Sequence, residues 1–143
     1  MTSRPQILSI LIFSLTFLHG CAGQPDLALL EAWARPGDPG ANSAVYLVIE
    51  NRGGADQLVA VESDASAEVQ LHRSILHDDG VVEMQRQQMI EIPARGRLVL
   101  EPGGYHIMLL DLQRSLEEGQ AIRIQLIFKH EDPIDAQAQI RNP

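Results

Sequence analysis

Short runs of apolar residues, each bounded by Gly, Pro, Asp or Asn, follow one another from residue 27 onward. The clearest run alternates strictly, because Ile122, Ile124, Leu126 and Phe128 share one side and polar residues fall between the first three. Period-two alternation is typical of a strand with one buried face. No long segment has helical periodicity, so the pattern predicts a single all-β domain built as a sandwich or barrel.

The pattern predicts nine strands, separated by turn sequences such as Asp78-Asp79-Gly80 and Pro102-Gly103-Gly104. The predicted strands cover residues 27–34, 44–50, 57–62, 68–75, 81–85, 89–92, 97–100, 105–111 and 121–129. We therefore place the folded domain at 27–130. The remaining residues, 131–143, are predicted to form a polar C-terminal tail.

The first residues do not fit that domain. An apolar run over 7–18 follows Arg4 and is shorter than the roughly 20 residues that span a bilayer, so it predicts a signal peptide. The run ends in Leu18-His19-Gly20-Cys21, which resembles a bacterial lipoprotein signal. We expect residues 1–20 to be removed, Cys21 to be lipidated, and 21–26 to tether the domain to a membrane of the cell envelope, in the periplasm.

Composition excludes several functions. The formal net charge is -8 and Lys129 is the only lysine, which argues against nucleic-acid binding. Cys21 is the only cysteine, so once it is lipidated there is neither a disulfide nor a thiolate ligand of the kind that blue-copper sites need. The sequence contains no His-Glu-x-x-His run, Gly-x-Ser-x-Gly elbow or Gly-rich phosphate loop, so we do not expect an enzyme.

Two histidines and two methionines form an ordered set: His72, Met84, His106 and Met108. His106 and Met108 stand at i and i+2 of one predicted strand, so they share a face and lie about 6.6 Å apart along it. Ile107 points to the opposite, core side. The alternation therefore predicts that His106 and Met108 lie on an exposed face, and His72 is likewise out of phase with its apolar neighbours.

The position of Met84 depends on the turn that precedes it. A two-residue Asp79-Gly80 loop would pair Met84 with Ile75, whereas a loop of nearly five residues would pair it with His72. Hairpins containing Gly allow both lengths, so the sequence leaves this register open.

Imidazole and thioether groups together favour Cu(I) over Mg²⁺, Ca²⁺ or Zn²⁺. Taken singly, each of the four residues also has an ordinary role, since methionine often fills cores and histidine often lies at the surface. Of the other candidates, Met89 is predicted to pack, His77 to lie in a solvated turn, and His130 to offer at most a weak second metal site.

The chain from Trp33 to Leu126 resembles the periplasmic copper A chaperone (PCuAC) family, including the spacing His–x11–Met–x21–His–x–Met. The matching landmarks are Ala44-Val45-Tyr46-Leu47, Glu50-Asn51, Val69-Gln70-Leu71-His72, Glu91-Ile92-Pro93-Ala94 and Pro102-Gly103-Gly104-Tyr105-His106-Ile107-Met108-Leu109. The resemblance implies a cupredoxin-like β-sandwich with Greek-key connections and a Cu(I) site made by His72, Met84, His106 and Met108. Arg73 departs from the family, which often has Met there, and the C-terminal region has only His130 where some members are rich in His and Met.

The resemblance also implies a function, delivery of copper to the copper A domain of cytochrome c oxidase, often with a thiol-containing partner chaperone. Two alternatives stay open at the level of sequence. One is a copper buffer or tolerance lipoprotein that uses the same site without a dedicated client. The other is a metal-free β-sandwich lipoprotein that binds another protein.

Overall fold

A computed structural model describes residues 23–142, so the predicted signal peptide and Cys21 lie outside the described residues. All regular elements in the described part are strands, which confirms the all-β prediction. They are β1 (Leu27–Ala34), β2 (Ser43–Asn51), β3 (Asp56–Ser63), β4 (Ser66–Leu76), β5 (Val82–Gln87), β6 (Ile90–Ile92), β7 (Arg97–Leu100), β8 (Tyr105–Leu112), β9 (Ala121–Phe128) and β10 (Ile134–Ile140).

The strands form one hydrogen-bonded sheet in the order β5-β4-β8-β7-β2-β1-β10-β9-β3-β6, with β8 also pairing with β2. Apolar side chains from strands far apart in this order nevertheless belong to one buried cluster, for example Ile107 of β8, Leu47 of β2 and Leu126 of β9. The sheet is therefore folded over on itself into a sandwich whose two faces enclose the core. Within the residues described, no helix has the length and apolar character needed to cross a membrane.

The polar C-terminal tail predicted for 131–143 is wrong. Residues 134–140 form β10, which lies between β1 and β9, antiparallel to β9 and parallel to β1. Ala136, Ala138 and Ile140 point into the core, with exposed fractions of 9%, 0% and 2%. The domain thus ends near residue 140, because β10 closes the gap between its first and ninth strands.

Part of the predicted tether is also docked. The carbonyl oxygen of Gln24 accepts from the Gly54 amide at 2.9 Å, and that of Asp26 accepts from the Arg52 amide at 2.9 Å. The Asp26 amide donates to the side chain of Asn51 at 3.3 Å. Because Gly54 has no Cβ, the segment that enters β1 can lie directly on the β2–β3 loop.

Candidate metal centre

The side chains of His72 and His106 lie beside each other on two neighbouring strands. β4 and β8 run antiparallel with His72 directly opposite His106, and the two ring centroids are 5.8 Å apart. His106 is 3% exposed, and His72 is half-buried. Directly opposed residues of an antiparallel pair point to the same face, so the register itself brings the two imidazoles together.

One nitrogen of His106 is available as a ligand. Its Nδ1 lies 3.1 Å from the carbonyl oxygen of Gly104, which can only accept a hydrogen bond, so Nδ1 carries the proton. Gly103, at φ 83°, forms the left-handed step of the turn that brings this carbonyl back toward the ring. The other nitrogen, Nε2, is buried without a hydrogen-bond partner among the described residues, and its lone pair is free.

His72 presents a free nitrogen in the same way. Its Nε2 lies 2.8 Å from Oε1 of Gln70, while Nδ1 is buried and finds no partner in residues 23–142. Gln70 in turn donates from Nε2 to Oε1 of Glu68 at 2.6 Å. No sequence motif marks Gln70 or Glu68 as part of the site, although the alternation Glu68-Val69-Gln70-Leu71-His72 places both on the strand face of His72.

The two methionines lie diagonally from the histidines on the same face. Met108 stands opposite Gln70 and Ala44, and Met84 stands opposite Ser74, two residues from His72. Neither hairpin register considered from the sequence is correct, because β5 pairs His72 with Arg86. In the observed register Met84 pairs with Ser74, which is two residues from His72, so Met84 points to the same face as His72. We call the face that carries His72, Met84, His106 and Met108 the donor face.

A cleft of about 530 Å³ opens beside this face, and its lining includes Tyr46, Val82, Met84, His106 and Met108. Exposure differs sharply among the four predicted ligands. Met84 is 58% exposed, whereas Met108 is half-buried and His106 is buried. The structure therefore brings the predicted residues together, but the prediction that His106 lies on an exposed face is wrong.

Tyr46 explains that burial. Its own exposed fraction is 6%, its ring lies 6.4 Å from that of His106, and on its other side it contacts Trp33 with 4.5 Å between centroids. The aromatic rings from β1 and β2 thus shield His106 from solvent. Neither aromatic residue was linked to the site from the sequence.

The local electrostatics keep His72 neutral at pH 7. Burial, the neighbouring His106 and the Arg86 guanidinium all disfavour the imidazolium and lower the pKa of His72 below 6.5. A neutral imidazole is the form that binds a metal. At His72, binding of a cation is therefore favoured because the neutral ring predominates.

Positions 73 and 107 point away from the donor face. Ile107 is fully buried in the core, as the alternation predicts. The guanidinium of Arg73 lies 5.3 Å from the centroid of the Tyr105 ring, and Arg73 stands opposite Tyr105 and Gln85. The departure from the family at Arg73 therefore removes no side chain from the donor face.

The remaining candidates have other surroundings. Met89, predicted to pack, is 46% exposed. His77 lies in a turn, as predicted, with its Nε2 2.9 Å from Glu83. Nδ1 of His130 is 3.0 Å from Oδ1 of the buried Asp56, a contact within the fold. Residues 23–142 contain no group of three or more His, Cys, Asp or Glu side chains that could hold a metal ion.

Comparison with known proteins gives a family and a fold. The family model described as "Putative lipoprotein LpqE-like" matches residues 27–140. Putative lipoprotein Lxx21020 of Leifsonia xyli subsp. xyli is 33% identical over 98 residues, which is 68% of this chain and 59% of that protein. Uncharacterized protein RP573 of Rickettsia prowazekii is 31% identical over 105 residues, or 69% and 58% of the two chains. The chain thus spans less than three fifths of the length of either curated relative.

Several solved structures share the architecture, and PCuAC domains are among them. The apo PCuAC domain from PmoF1 is 26% identical, with a TM-score of 0.68 over 82% of this chain and 94% of that one. The Cu(I) form of DR1885 from Deinococcus radiodurans is 26% identical, with a TM-score of 0.63 over 78% and 75% of the two chains. The copper-bound PCuAC domain from PmoF2 has a TM-score of 0.67 over 82% and 93%, and at 24% identity it supports the fold alone.

These matches confirm both the resemblance and the fold class that the sequence predicted. The family model covers nearly the whole described domain, from β1 through β10. The chain therefore belongs to the LpqE-like lipoprotein family and has the cupredoxin-like β-sandwich fold of the PCuAC domains.

Proposed function

We propose that the chain binds one Cu(I) ion through His72, Met84, His106 and Met108 and delivers it to the copper A centre of cytochrome c oxidase. The observation that carries the proposal is the pair of buried imidazole nitrogens, Nδ1 of His72 and Nε2 of His106, which have no partner in the described part of the chain. They belong to rings 5.8 Å apart on one face. Two methionines lie diagonally on that same face.

The energetics of burial favour a ligand at this point. A buried polar atom without a hydrogen bond costs about 1–3 kcal/mol, and here two such atoms lie side by side. A shared cation would satisfy both lone pairs. The nearby thioethers select a soft ion, and a neutral donor set leaves Cu(I) with a single net positive charge.

Unequal exposure of the ligands suits a protein that gives its metal away. His106 is 3% exposed and Met84 is 58% exposed, so an approaching acceptor reaches Met84 first. Met84 lies on β5, at the edge of the sheet, and its thioether can be replaced by an acceptor's ligand while the histidines still hold the ion. Stepwise exchange of this kind avoids release of free copper.

The structural comparisons support copper as the ligand, whereas the copper-accepting protein is proposed from the sequence resemblance. Two of the structurally similar domains were solved with copper, one of them as the Cu(I) form, and one of these two is more than 25% identical to this chain. The predicted lipid at Cys21 would place the chain in the cell envelope, beside membrane-bound acceptors, and raise its effective concentration there. A thiol-containing partner chaperone completes the proposed transfer route.

Anaerobic Cu(I) titration of residues 22–143 against a chromophoric Cu(I) chelator tests the binding step. We expect one tightly bound ion, with both sulfur and nitrogen neighbours in its X-ray absorption spectrum. A spectrum with nitrogen and oxygen neighbours only would remove Met84 and Met108 from the site. Absence of binding would leave a metal-free interaction lipoprotein.

Transfer is tested separately by mixing the loaded protein with an apo copper A domain and separating the two. We expect copper to move to the acceptor faster than it dissociates into chelator alone. Tight binding without such acceleration would contradict delivery and favour a copper buffer, the second function that the donor set supports.

A further inference from the structure

Three residues that alternate along β4 form a hydrogen-bonded chain on the donor face. Oε1 of Glu68 accepts from Nε2 of Gln70 at 2.6 Å, and Oε1 of Gln70 lies 2.8 Å from Nε2 of His72. The three residues share a face because each is two positions from the next. His72 stands at the end of this chain, directly opposite His106.

The carboxylate of Glu68 fixes the orientation of the Gln70 amide, and that amide in turn fixes the tautomer of His72. An ionised carboxylate can only accept, so Glu68 holds the amino group of the Gln70 amide toward itself. The amide oxygen of Gln70 then points to His72 and also only accepts. Consequently Nε2 of His72 carries the proton, and the lone pair is on Nδ1, the nitrogen that is buried without a partner in residues 23–142.

We infer that Glu68 and Gln70 are positioning residues that lock His72 in its Nε2–H tautomer, so that Nδ1 is the atom that binds copper. This inference rests on the proposed function of the site. His106 obtains the same control from the Gly104 carbonyl, a main-chain group, and its free nitrogen is instead Nε2. The two histidines thus bind through different ring atoms, and only His72 depends on side chains for its orientation.

Glu68 has a second contact consistent with this role. Its Oε1 lies 3.8 Å from the guanidinium of Arg86, the residue directly opposite His72 on β5. The carboxylate therefore pairs with the nearest cation on the neighbouring strand while it orients Gln70. Both groups are more than half exposed, so this contact contributes little to stability.

The tautomer can be measured without copper. In the apo protein labelled with ¹⁵N-histidine, long-range ¹H–¹⁵N spectra above the pKa of His72 should show a protonated Nε2 and an unprotonated Nδ1. Gln70→Leu should give a mixture of tautomers, and Gln70→Glu should restore the single form because a carboxylate also accepts. Gln85→Leu, an exposed glutamine on β5 that stands opposite Arg73, is the matched control and should leave His72 unchanged.

Copper loading gives the second measurement. Cu(I) is diamagnetic, so the same spectra should show the Nδ1 resonance of His72 shifting while Nε2 keeps its proton. Gln70→Leu should weaken Cu(I) binding about 10- to 100-fold, as loss of such hydrogen bonds typically does, with Gln70→Glu near wild type. Thermal unfolding of each apo variant verifies that the fold is intact.

Three results would overturn the inference: a wild-type apo His72 protonated on Nδ1, coordination through Nε2 of His72, or Gln70→Leu that keeps one tautomer and wild-type affinity. Failure of the proposed function is recognised differently. A wild-type domain that shows the Nε2–H tautomer but takes up no Cu(I) would contradict copper binding, and with it the assignment of Nδ1 as a ligand. The apo spectra test separately whether the hydrogen-bonded chain fixes the tautomer of His72.

Discussion

Met84 is the most exposed of the four proposed ligands, at 58%, so its role can be separated from the fold. We expect Met84→Ala to weaken Cu(I) binding at least tenfold and to change the free energy of unfolding of the apo domain by less than about 0.5 kcal/mol, as surface substitutions do. Met89→Ala is the matched control, because Met89 is 46% exposed, lies between β5 and β6, and does not line the cleft. Equal copper affinities for the two variants would exclude Met84 from the site.

Neighbouring residues on β8 should give opposite effects. Ile107 is fully buried, so Ile107→Ala should cost roughly 2–5 kcal/mol by leaving a cavity, while the domain that remains folded keeps near wild-type Cu(I) affinity. Met108 is half-buried, so Met108→Ala should cost only about 1–2 kcal/mol and weaken binding. Chemical denaturation and chelator competition measure both quantities. A larger stability loss for Met108→Ala than for Ile107→Ala would reverse the assignment of the two faces.

At the scale of single residues, the sequence predicted which side chains share a face but not the extent to which each is buried. Alternation along one strand is a local property, and it correctly separates His106 and Met108 from Ile107. The burial of His106 depends on Tyr46 and Trp33, which come from β2 and β1. Packing between strands distant in sequence has no period that a single segment could reveal.

At the scale of elements, β10 is the main difference between prediction and structure. The alternation was present, since Ile134, Ala136, Ala138 and Ile140 recur at every second position. Alanine carries little apolar surface, so the pattern of this run resembles that of a polar tail. The β4–β5 register was undetermined for a different reason, because several turn lengths satisfy the same Gly-containing loop.

Removing β10 should unfold the domain. Because β10 lies between β1 and β9, truncation after residue 133 leaves one edge of each of these two strands unpaired. It also exposes the side chains of Ile122 and Ile124, which are buried in the intact core. We expect no cooperative thermal transition in the truncated chain. Deletion of residues 142–143 alone is the control and should leave the transition close to wild type. A truncated chain with a wild-type circular dichroism spectrum and melting temperature would restore the interpretation of a dispensable tail.

Asp56 joins β3 to the segment between β9 and β10, and its side chain is fully buried. Burial would raise its pKa, but hydrogen bonds from the amides of Gln57 and Glu131 and from His130 outweigh burial and lower the pKa below 3.8. The native state therefore binds fewer protons than the unfolded chain in this range. Its contribution to stability is complete above about pH 4–5 and is lost as pH falls through the lowered pKa.

Asp56→Asn should consequently cost about 1–3 kcal/mol at pH 7 and remove that part of the acid dependence. Asp64→Asn, a 78% exposed carboxylate beside Arg114, is the matched control and should change little. Denaturation curves between pH 7 and 3 measure both variants. An Asp56→Asn protein that loses stability with acid as steeply as wild type would show that another group is responsible.

At the scale of the whole molecule, the direction of β1 and β2 relates the predicted anchor to the donor face. The segment entering β1 is docked beside Asn51, at the end of β2, whereas Ala44, at the start of β2, pairs with Met108. Asn51 lies seven positions after Ala44 along the strand, a distance of roughly 23 Å. Gln24 is held by a hydrogen bond from Gly54. Three residues of extended chain span at most about 10 Å, which is the upper limit for the distance from Gln24 to a lipid-bearing Cys21. A lipid at Cys21 would therefore place the metal site at the pole of the domain remote from the membrane.

We therefore expect the lipidated protein, bound to vesicles that carry a gadolinium-chelating lipid, to show a gradient of paramagnetic broadening. Amide resonances of Gly53 and Gly54 should broaden most, and those of Ala44 and Met108 least, because the effect falls steeply with distance from the membrane surface. The same domain without its lipid, mixed with the same vesicles, controls for random collisions. Uniform broadening, or stronger broadening at Met108 than at Gly54, would contradict the docked tether. A site held away from the bilayer can be reached by an acceptor domain that projects from the same membrane.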